Sequence, residues 1–524
     1  MLKINFSKIF ILLSIVIINL QAYDSIDLSG EWRFQLDMMN FGKTTGSELY
    51  KQKLNDTIKL PGSTDSNEKG IKTTARHVDR LTRIYEYQGP AYYQKDIRIP
   101  EDWRNKNIFL HLERVHWRTA VYVNGKKAGY KESFSVPHVF NLSNFLSPGE
   151  HTLTLCIDNT LKYNFSKYNW SHAFTEYTQT NWNGIIGDIE LQARKKVFIN
   201  DLQIYTNSKK RTVTPHIHIS NPDSNIADGN IIYEVAKKST GKMVKKEKFE
   251  FTIEAKSKKY THKIKLDGIE PWNEFNPALY NLSATVKYET TGQEFKDERT
   301  ETFGFRDLDH NGDHITLDGK PIYLRGTLEC SIFPKTGYPS MKKSKWLKIC
   351  RTVKNYGLNH IRFHSWCPPE AAFEAADEVG IYLQPEISLW LKTVGADSAR
   401  FEYFKQELKD ILKEYGNHPS FILMGMGNEL EGDYSYLRKL VKMGQKIDSR
   451  HLYSASTARK HIKADQFYVS HQTEKGWIVS YAKQIPSTNW DMEENFADMK
   501  VPTISHEIGQ RCMYPNFSEI KKYD

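Results

Sequence analysis

The chain has 524 residues, enough for two to four domains with sizeable cores, and 13% of them are aromatic. Its formal net charge is +10, yet Lys and Arg are scattered, and the densest basic run, residues 245–248, is interrupted by Glu247. With no zinc-finger, RNA-binding or helix-turn-helix pattern alongside, that charge implies a solvated surface and excludes a nucleic-acid partner.

Residues 1–22 read as a signal peptide. Lys3 and Lys8 precede an apolar core over residues 9–20, and Leu20-Gln21-Ala22 offers a small-residue cleavage site. The apolar stretch is short for a permanent span, and no Cys follows it to take a lipid. Export to the periplasm or medium, with no membrane anchor after cleavage, is therefore expected. Cys156, Cys330, Cys350, Cys367 and Cys512 are odd in number and form no CxxC pair. That pattern gives neither a disulfide framework nor a zinc site, so most are expected as buried thiols.

Residues 23–195 are β-rich. Segments 28–34, 91–99, 119–123 and 151–157 read as strands, and Asn124-Gly125 is a strong hairpin signal. A jelly-roll sandwich is predicted. Residues 196–307 hold further strands between polar turns, the length and texture of one immunoglobulin-like sandwich acting as a brace. From residue 308 the pattern changes to strand–helix alternation. Strands are predicted at 321–326, 360–364, 380–386, 421–427, 452–455, 467–471 and 503–505, with helices at 343–356, 370–379 and 401–415. Repeated βα units imply a parallel sheet, here a (β/α)8 barrel of the TIM type over 308–524. The chain stops at Asp524, so such a barrel is expected to lack its last strand and helix.

Two segments in that region share one design. Phe421-Ile-Leu-Met-Gly-Met-Gly-Asn-Glu429 is an apolar run suited to a strand buried on both faces, and it ends in a carboxylate. Val501-Pro-Thr-Ile-Ser-His-Glu507 repeats the pattern. Two Glu residues at the C-terminal ends of parallel strands are what two-carboxylate glycoside hydrolysis requires. Glu429 is the candidate general acid/base, with partial burial expected to raise its pKa. Glu507 is the candidate nucleophile, with Arg362 expected to keep it ionised. Asn428 is the candidate donor to a sugar hydroxyl. His364, Glu386, His471 and Trp477 are further candidate sugar contacts. Phosphate loops, HExxH and GxSxG motifs are absent from the sequence.

Together these segments carry a resemblance. The motifs LSGEWRF (28–34), VYVNG (121–125), NWNGIIGD (181–188), LRG (324–326), IRFHS (361–365), GNE (427–429) and HEIG (506–509) resemble glycoside hydrolase family 2. That is the group of β-galactosidases, β-glucuronidases and β-mannosidases. The resemblance implies Glu429 as acid/base, Glu507 as nucleophile and Arg362 as its partner. It also implies that Asn181 reaches from the first sandwich towards an oligosaccharide or glycoside substrate. Ser365 stands where family members usually carry His, Thr327-Leu328-Glu329 replaces the usual Asn-Arg-His, and Glu386 lacks the expected following His. No cofactor is therefore expected, and a divalent cation is not supported by the motifs. The expected activity is an exo-acting retaining β-glycosidase of β-galactosidase type. The alternatives are β-glucuronidase or β-mannosidase specificity, or a non-catalytic carbohydrate-binding remnant.

Overall fold

The computed structural model describes residues 23–77, 80–222, 227–253, 256–290, 293–477, 493–507 and 517–518. The signal peptide expected at 1–22 and Cys512 lie outside them. Of the remaining cysteines, Cys156, Cys350 and Cys367 are buried free thiols, and Cys330 is half-buried.

Two antiparallel sheets form the first sandwich. One runs in the order Asp24–Asp27, Gly184–Arg194, Asn107–Val115, His138–Asn141, with Gly62–Ser63 beside Gly184–Arg194. The other runs Lys126–Glu132, Arg118–Val123, Gly149–Asp158, Pro90–Ile99, Gly30–Leu36, Asp56–Leu60. Period-two alternation turns Trp32, Tyr93, Leu112, Val121 and Leu155 into one shared core. The predicted hairpin is present: Asn124 and Gly125 take φ of 48° and 74°, the left-handed pair that a two-residue primed turn requires.

A second sandwich pairs Phe198–Asn207, Thr212–Asn221 and Lys256–Thr261 in one sheet. Met243–Ile253, Ala227–Lys237, Leu279–Thr290 and Gln293–Gly304 form the other. Ile217, Ile231, Tyr233, Leu282 and Val286 fill the space between them. The end of this unit also anchors the strand that leads to Glu429. The buried guanidinium of Arg306 donates to the carbonyls of Pro419 and Phe421 at 2.7 and 2.8 Å, gripping the chain where it enters that strand.

The strand predicted at 321–326 is misplaced. Lys320–Ile322 instead closes a three-stranded antiparallel sheet with His314–Leu317 and Leu308–Asn311. Pro321 has no N–H to give to a central ladder, so an edge position suits it. The parallel strands are β1 Gly326–Glu329, β2 His360–Phe363, β3 Tyr382–Gln384, β4 Leu423–Gly425, β5 Leu452–Ser454, β6 Tyr468–Ser470 and β7 Thr503–Ser505. Parallel ladders or bridges join each to the next in chain order. Helices α1 Lys343–Asn355, α2 Glu370–Val379, α3 Ser398–Tyr415 and α4 Tyr434–Ile447 connect the first five. Pro369 opens α2, and Gly380 at φ 75° stops it in the left-handed conformation; the Asp397 carboxylate caps α3 by accepting from the Arg400 N–H. No described strand joins β7 to β1. A cleft of about 860 Å³ lies between them, lined by Thr327 and Leu328 on one side and Ile504 and Ser505 on the other.

The first sandwich is welded to this region by aromatic packing. Trp117, Phe134, Phe165 and Phe174 share one core with Trp346, Trp366, Tyr403 and Phe404. Arg114 adds a bond to the Cys367 carbonyl at 2.7 Å, and Tyr415 one to the Ser135 carbonyl at 2.7 Å. The strand ends and the sandwich loops beside them are thus held as one surface.

Candidate active site

The parallel strands are only three or four residues long, and β2 to β6 are buried throughout, so most polar groups collect where the strands stop. Beyond β2 lie His364 and Ser365, beyond β3 Glu386, beyond β4 Asn428 and Glu429, beyond β5 Thr457 to Arg459, and beyond β7 His506 and Glu507. All are C-terminal strand ends. Ser365, Glu429, Ala458 and Glu507 have φ of 54°, 48°, 58° and 51°. Four non-glycine residues in the left-handed region, each just past a strand, mark backbone held against its preference to aim side chains.

Arg362 on β2 is the hub. It is 4% exposed. Its Nε and Nη2 donate to Glu386 at 2.7 and 3.2 Å, and Nη2 also donates to Asn428 Oδ1 at 2.8 Å and Thr457 Oγ1 at 2.7 Å. Glu386 is fully enclosed and also accepts from the Ser365 N–H at 2.7 Å. The expected roles therefore need correction. Glu386 is the carboxylate that compensates Arg362, not a surface open to sugar. Arg362 stands further from Glu507, with Nη1 3.9 Å from Oε1. Even so, a guanidinium at that range favours negative charge on Glu507.

Glu507 is otherwise surrounded by histidines. His364 Nε2 lies 3.3 Å from Oε1. His506 Nε2 lies 2.9 Å from the same oxygen, without the alignment of a hydrogen bond. Burial first, then the nearby Arg362, pushes His364 down to about 3 and His506 down to about 2. Both rings are neutral at pH 7. Since Arg362 Nη1 donates to His506 Nδ1 at 3.2 Å, the His506 proton sits on Nε2, towards Glu507.

Asn428 is oriented unambiguously. Its Oδ1 takes the Arg362 and Thr457 bonds, so Nδ2 points away from them, and among the described residues that buried amide nitrogen has no partner. A buried donor left open is a place for a ligand acceptor.

Glu429 is partly buried, as expected, and it is also ion-paired. Its side chain is 24% exposed, Arg459 Nη2 lies 3.0 Å from Oε2, and Nη1 donates to Oε1 at 3.2 Å. Trp390 Nε1 donates to Oε2 at 3.1 Å. Arg459 also donates from Nε to Glu431 at 2.8 Å, and Lys392 pairs with Glu431 at 3.1 Å. Glu429 and Glu507 meet through one ring contact, since His364 and Trp390 lie 4.8 Å apart between their centroids.

Asn181 is not part of this constellation. Its Oδ1 meets His116 Nε2 at 2.8 Å, and its amide donates to the Asn159 carbonyl at 3.1 Å, both inside the first sandwich. The sandwich instead contributes the loop around residues 165–178. Ser171 Oγ donates to the Ser365 carbonyl, and the His172 N–H to Ser365 Oγ, each at 3.0 Å. His172 packs edge-on to His364 at 4.8 Å. His471 is half-buried beyond β6, its ring 6.2 Å from His506. Trp477 pairs through its backbone with Gln472, and its side chain lies outside the described structure. Trp390, Arg459 and His172 join the site without any signal in the sequence. Among the described residues no group of three or more His, Cys, Asp or Glu is placed to hold a metal ion.

Comparison with known proteins decides the family. Residues 26–195 match the model for the sugar binding domain of glycosyl hydrolases family 2, and residues 197–306 match a second model of the same family. The chain belongs to glycosyl hydrolase family 2. Among curated relatives, a β-galactosidase of Thermoanaerobacterium thermosulfurigenes is 27% identical over 377 residues, covering 69% of this chain and 50% of that protein. A putative β-glucuronidase of Formosa agariphila is 23% identical over 388 residues, covering 71% of this chain and 34% of that protein. A solved family 2 member from Bacteroides cellulosilyticus superposes with a TM-score of 0.71 at 14% identity, over 92% of this chain and 66% of its own. A Bacteroides uniformis β-glucuronidase gives 0.68 at 20%, over 82% and 52%. The chain spans about half the length, or less, of the curated relatives it matches.

Proposed function

We propose that this chain carries the site of a retaining β-glycosidase that hydrolyses terminal β-linked sugars of oligosaccharides or glycosides, a β-galactoside being the leading substrate. One observation carries the reading: two Glu residues end separate parallel strands, one beside Arg362 and two neutral histidines, the other beside Trp390 and Arg459. In this reading Glu507 Oε attacks the anomeric carbon while the bond to the leaving oxygen breaks and Glu429 delivers a proton to that oxygen. Water then attacks the glycosyl-enzyme ester, Glu429 takes its proton, and Glu507 is released. Proton delivery requires Arg459 to let go of Glu429. Glu431 already holds its Nε and gives the guanidinium somewhere to stay. The open Nδ2 of Asn428 donates to a hydroxyl of the reacting sugar.

The strand–helix region is read as a TIM-type barrel, supported by seven parallel strands joined in chain order and by polar residues gathered at their C-terminal ends. Export is proposed from residues 1–22 of the sequence. A β-glucuronide is the second substrate reading, supported by the similarity to β-glucuronidases in sequence and in fold.

Turnover of 4-nitrophenyl β-galactoside, β-glucuronide and β-mannoside tests the activity. Glu507→Gln and Glu429→Ala should each lower kcat on an unactivated substrate by roughly 10²–10⁴ or more. Near-normal rates in either variant contradict the assignment.

A further inference from the structure

The loop that the first sandwich lays against the strand ends carries more aromatic surface than docking needs. Phe165 is buried and anchors it. Tyr168 and Trp170 turn outward, 64% and 38% exposed. Their rings form a chain towards the acid/base: Tyr168 to Trp170 at 5.0 Å, Trp170 to Trp390 at 5.4 Å, then the Trp390 bond to Glu429 at 3.1 Å.

This display is built into the backbone. Tyr168 and Asn169 both take left-handed φ, 58° and 55°, a consecutive non-glycine pair that persists only where surroundings over-determine it. Here the restraints are explicit. Ser166 bridges to Trp390 in a parallel pairing, with the Lys167 N–H donating to the Trp390 carbonyl and the Trp390 N–H to the Phe165 carbonyl, each at 3.0 Å. Ser166 Oγ accepts from the N–H groups of Trp170 and Ser171 at 3.0 and 3.1 Å. Ordinary surface aromatics need no such scaffold.

We infer that Trp170 and Tyr168, continuing from Trp390, form a stacking platform for the leaving group, and that its occupant is the second pyranose ring of an oligosaccharide. This rests on the glycosidase reading above and extends it. A general acid touches the leaving oxygen, so side chains running outward from Glu429 flank the leaving group, while the enclosed groups around Glu507 face the sugar that is attacked. The apolar C–H face of a pyranose matches the electron-rich face of an indole or phenol ring. A platform half open to solvent suits a ring attached to further chain.

The test begins with the full-length chain on the three 4-nitrophenyl glycosides. Turnover of none overturns both the glycosidase reading and this proposal. On the sugar that is turned over, kcat/KM is measured for its methyl β-glycoside and for a β-1,4-disaccharide of the same sugar, in wild type, Trp170→Ala and Tyr168→Ala. The loss on the disaccharide should exceed that on the methyl glycoside by about tenfold for Trp170→Ala, equivalent to one ring contact of aromatic strength. Trp170→Phe should restore most of it. Tyr168→Ala, at a largely exposed position, separates recognition from misfolding, and thermal melting confirms intact protein. Equal losses on both substrates in well-folded variants, or no loss on the disaccharide, overturn the platform while leaving the glycosidase reading standing.

Discussion

Arg362→Met is the sharpest structural perturbation available. The guanidinium is 4% exposed and its strongest partner, Glu386, is fully buried. Two of the bonds that hold the Glu386 carboxylate come from Arg362, and a third comes from the Ser365 N–H. Removing the cation leaves a buried negative charge largely uncompensated, a change that costs about 3–5 kcal/mol. Asn428 Oδ1 and Thr457 Oγ1 lose a donor as well, at about 1 kcal/mol each. For a unit of this size each kcal/mol moves Tm by roughly 2–4 °C, so the strand–helix region should melt at least about 10 °C earlier. Differential scanning calorimetry on the full chain reads this directly. The double variant Arg362→Met with Glu386→Leu removes both charges and should recover half or more of the loss, because replacing a buried pair by apolar groups is often close to neutral. Both proteins should hydrolyse glycosides at least about tenfold more slowly, since Asn428 loses one of its two orienting bonds and Glu507 loses the nearby cation. Destabilisation under about 1 kcal/mol, or a double variant no more stable than the single one, would refute the hub assigned to Arg362.

Arg459→Ala should change kcat/KM on a β-glucuronide and a β-galactoside alike, because the guanidinium pairs with the acid/base and Glu431 and does not face the attacked sugar; a loss about tenfold larger on the β-glucuronide would instead place it at the sugar carboxylate. Gly427 takes φ of 135°, and a Cβ there would meet the Leu389 carbonyl oxygen at 2.4 Å. Gly427→Ala should therefore destabilise by about 1–3 kcal/mol and displace Asn428 and Glu429, with activity falling at least tenfold; wild-type melting and rate would count against this geometry. Stability should fall in mild acid. Burial pushes His116, His138, His172, His360 and His364 down to about 3 and His506 down to about 2. Their folded-state values lie below the unfolded 6.5, so their contribution is present above that pH and is lost as pH falls towards the folded values. Glu113, Glu329 and Glu414, pushed up to about 7 by burial, act in the opposite direction, gaining stability as pH falls from 7 to about 4.5, but they are fewer. The buried histidines outnumber these carboxylates, so the net effect is a loss of stability below about pH 6. Urea midpoints at pH 7.5 and pH 5 check it, and equal midpoints would contradict it.

How legible each feature is in the sequence depends on how it is encoded. Phe421 to Met424 announces its strand because burial on both faces demands an unbroken apolar run, and all four residues are fully buried. Glu429 and Glu507 stand out because a charge directly after such a strand needs a reason. Asn124-Gly125 is readable because a primed turn demands two left-handed residues. β1 escapes sequence reading because Gly326-Thr-Leu-Glu329 is mostly half-exposed and polar, while the apolar residues just upstream belong to a hairpin. Trp390 and Arg459 sit 39 and 30 positions from Glu429 in loops without periodicity, so only folding brings them together. The open donor of Asn428 is foreseeable as a residue but not as an unpartnered nitrogen. Asn181 shows the reverse failure: a polar loop residue beside Trp182 suggests reach, yet His116 and Asn159 satisfy it internally.

The most direct test of the central claim is to trap the glycosyl-enzyme. The full chain is incubated with a 2-deoxy-2-fluoro β-glycoside of the sugar it turns over, and its intact mass and peptide map are then measured. One sugar per chain, attached to the peptide containing Glu507 and absent in Glu507→Gln, is the expected result. A label on Glu429, Glu386 or any other residue, or steady turnover that never accumulates an adduct, would contradict Glu507 as the nucleophile of a retaining glycosidase.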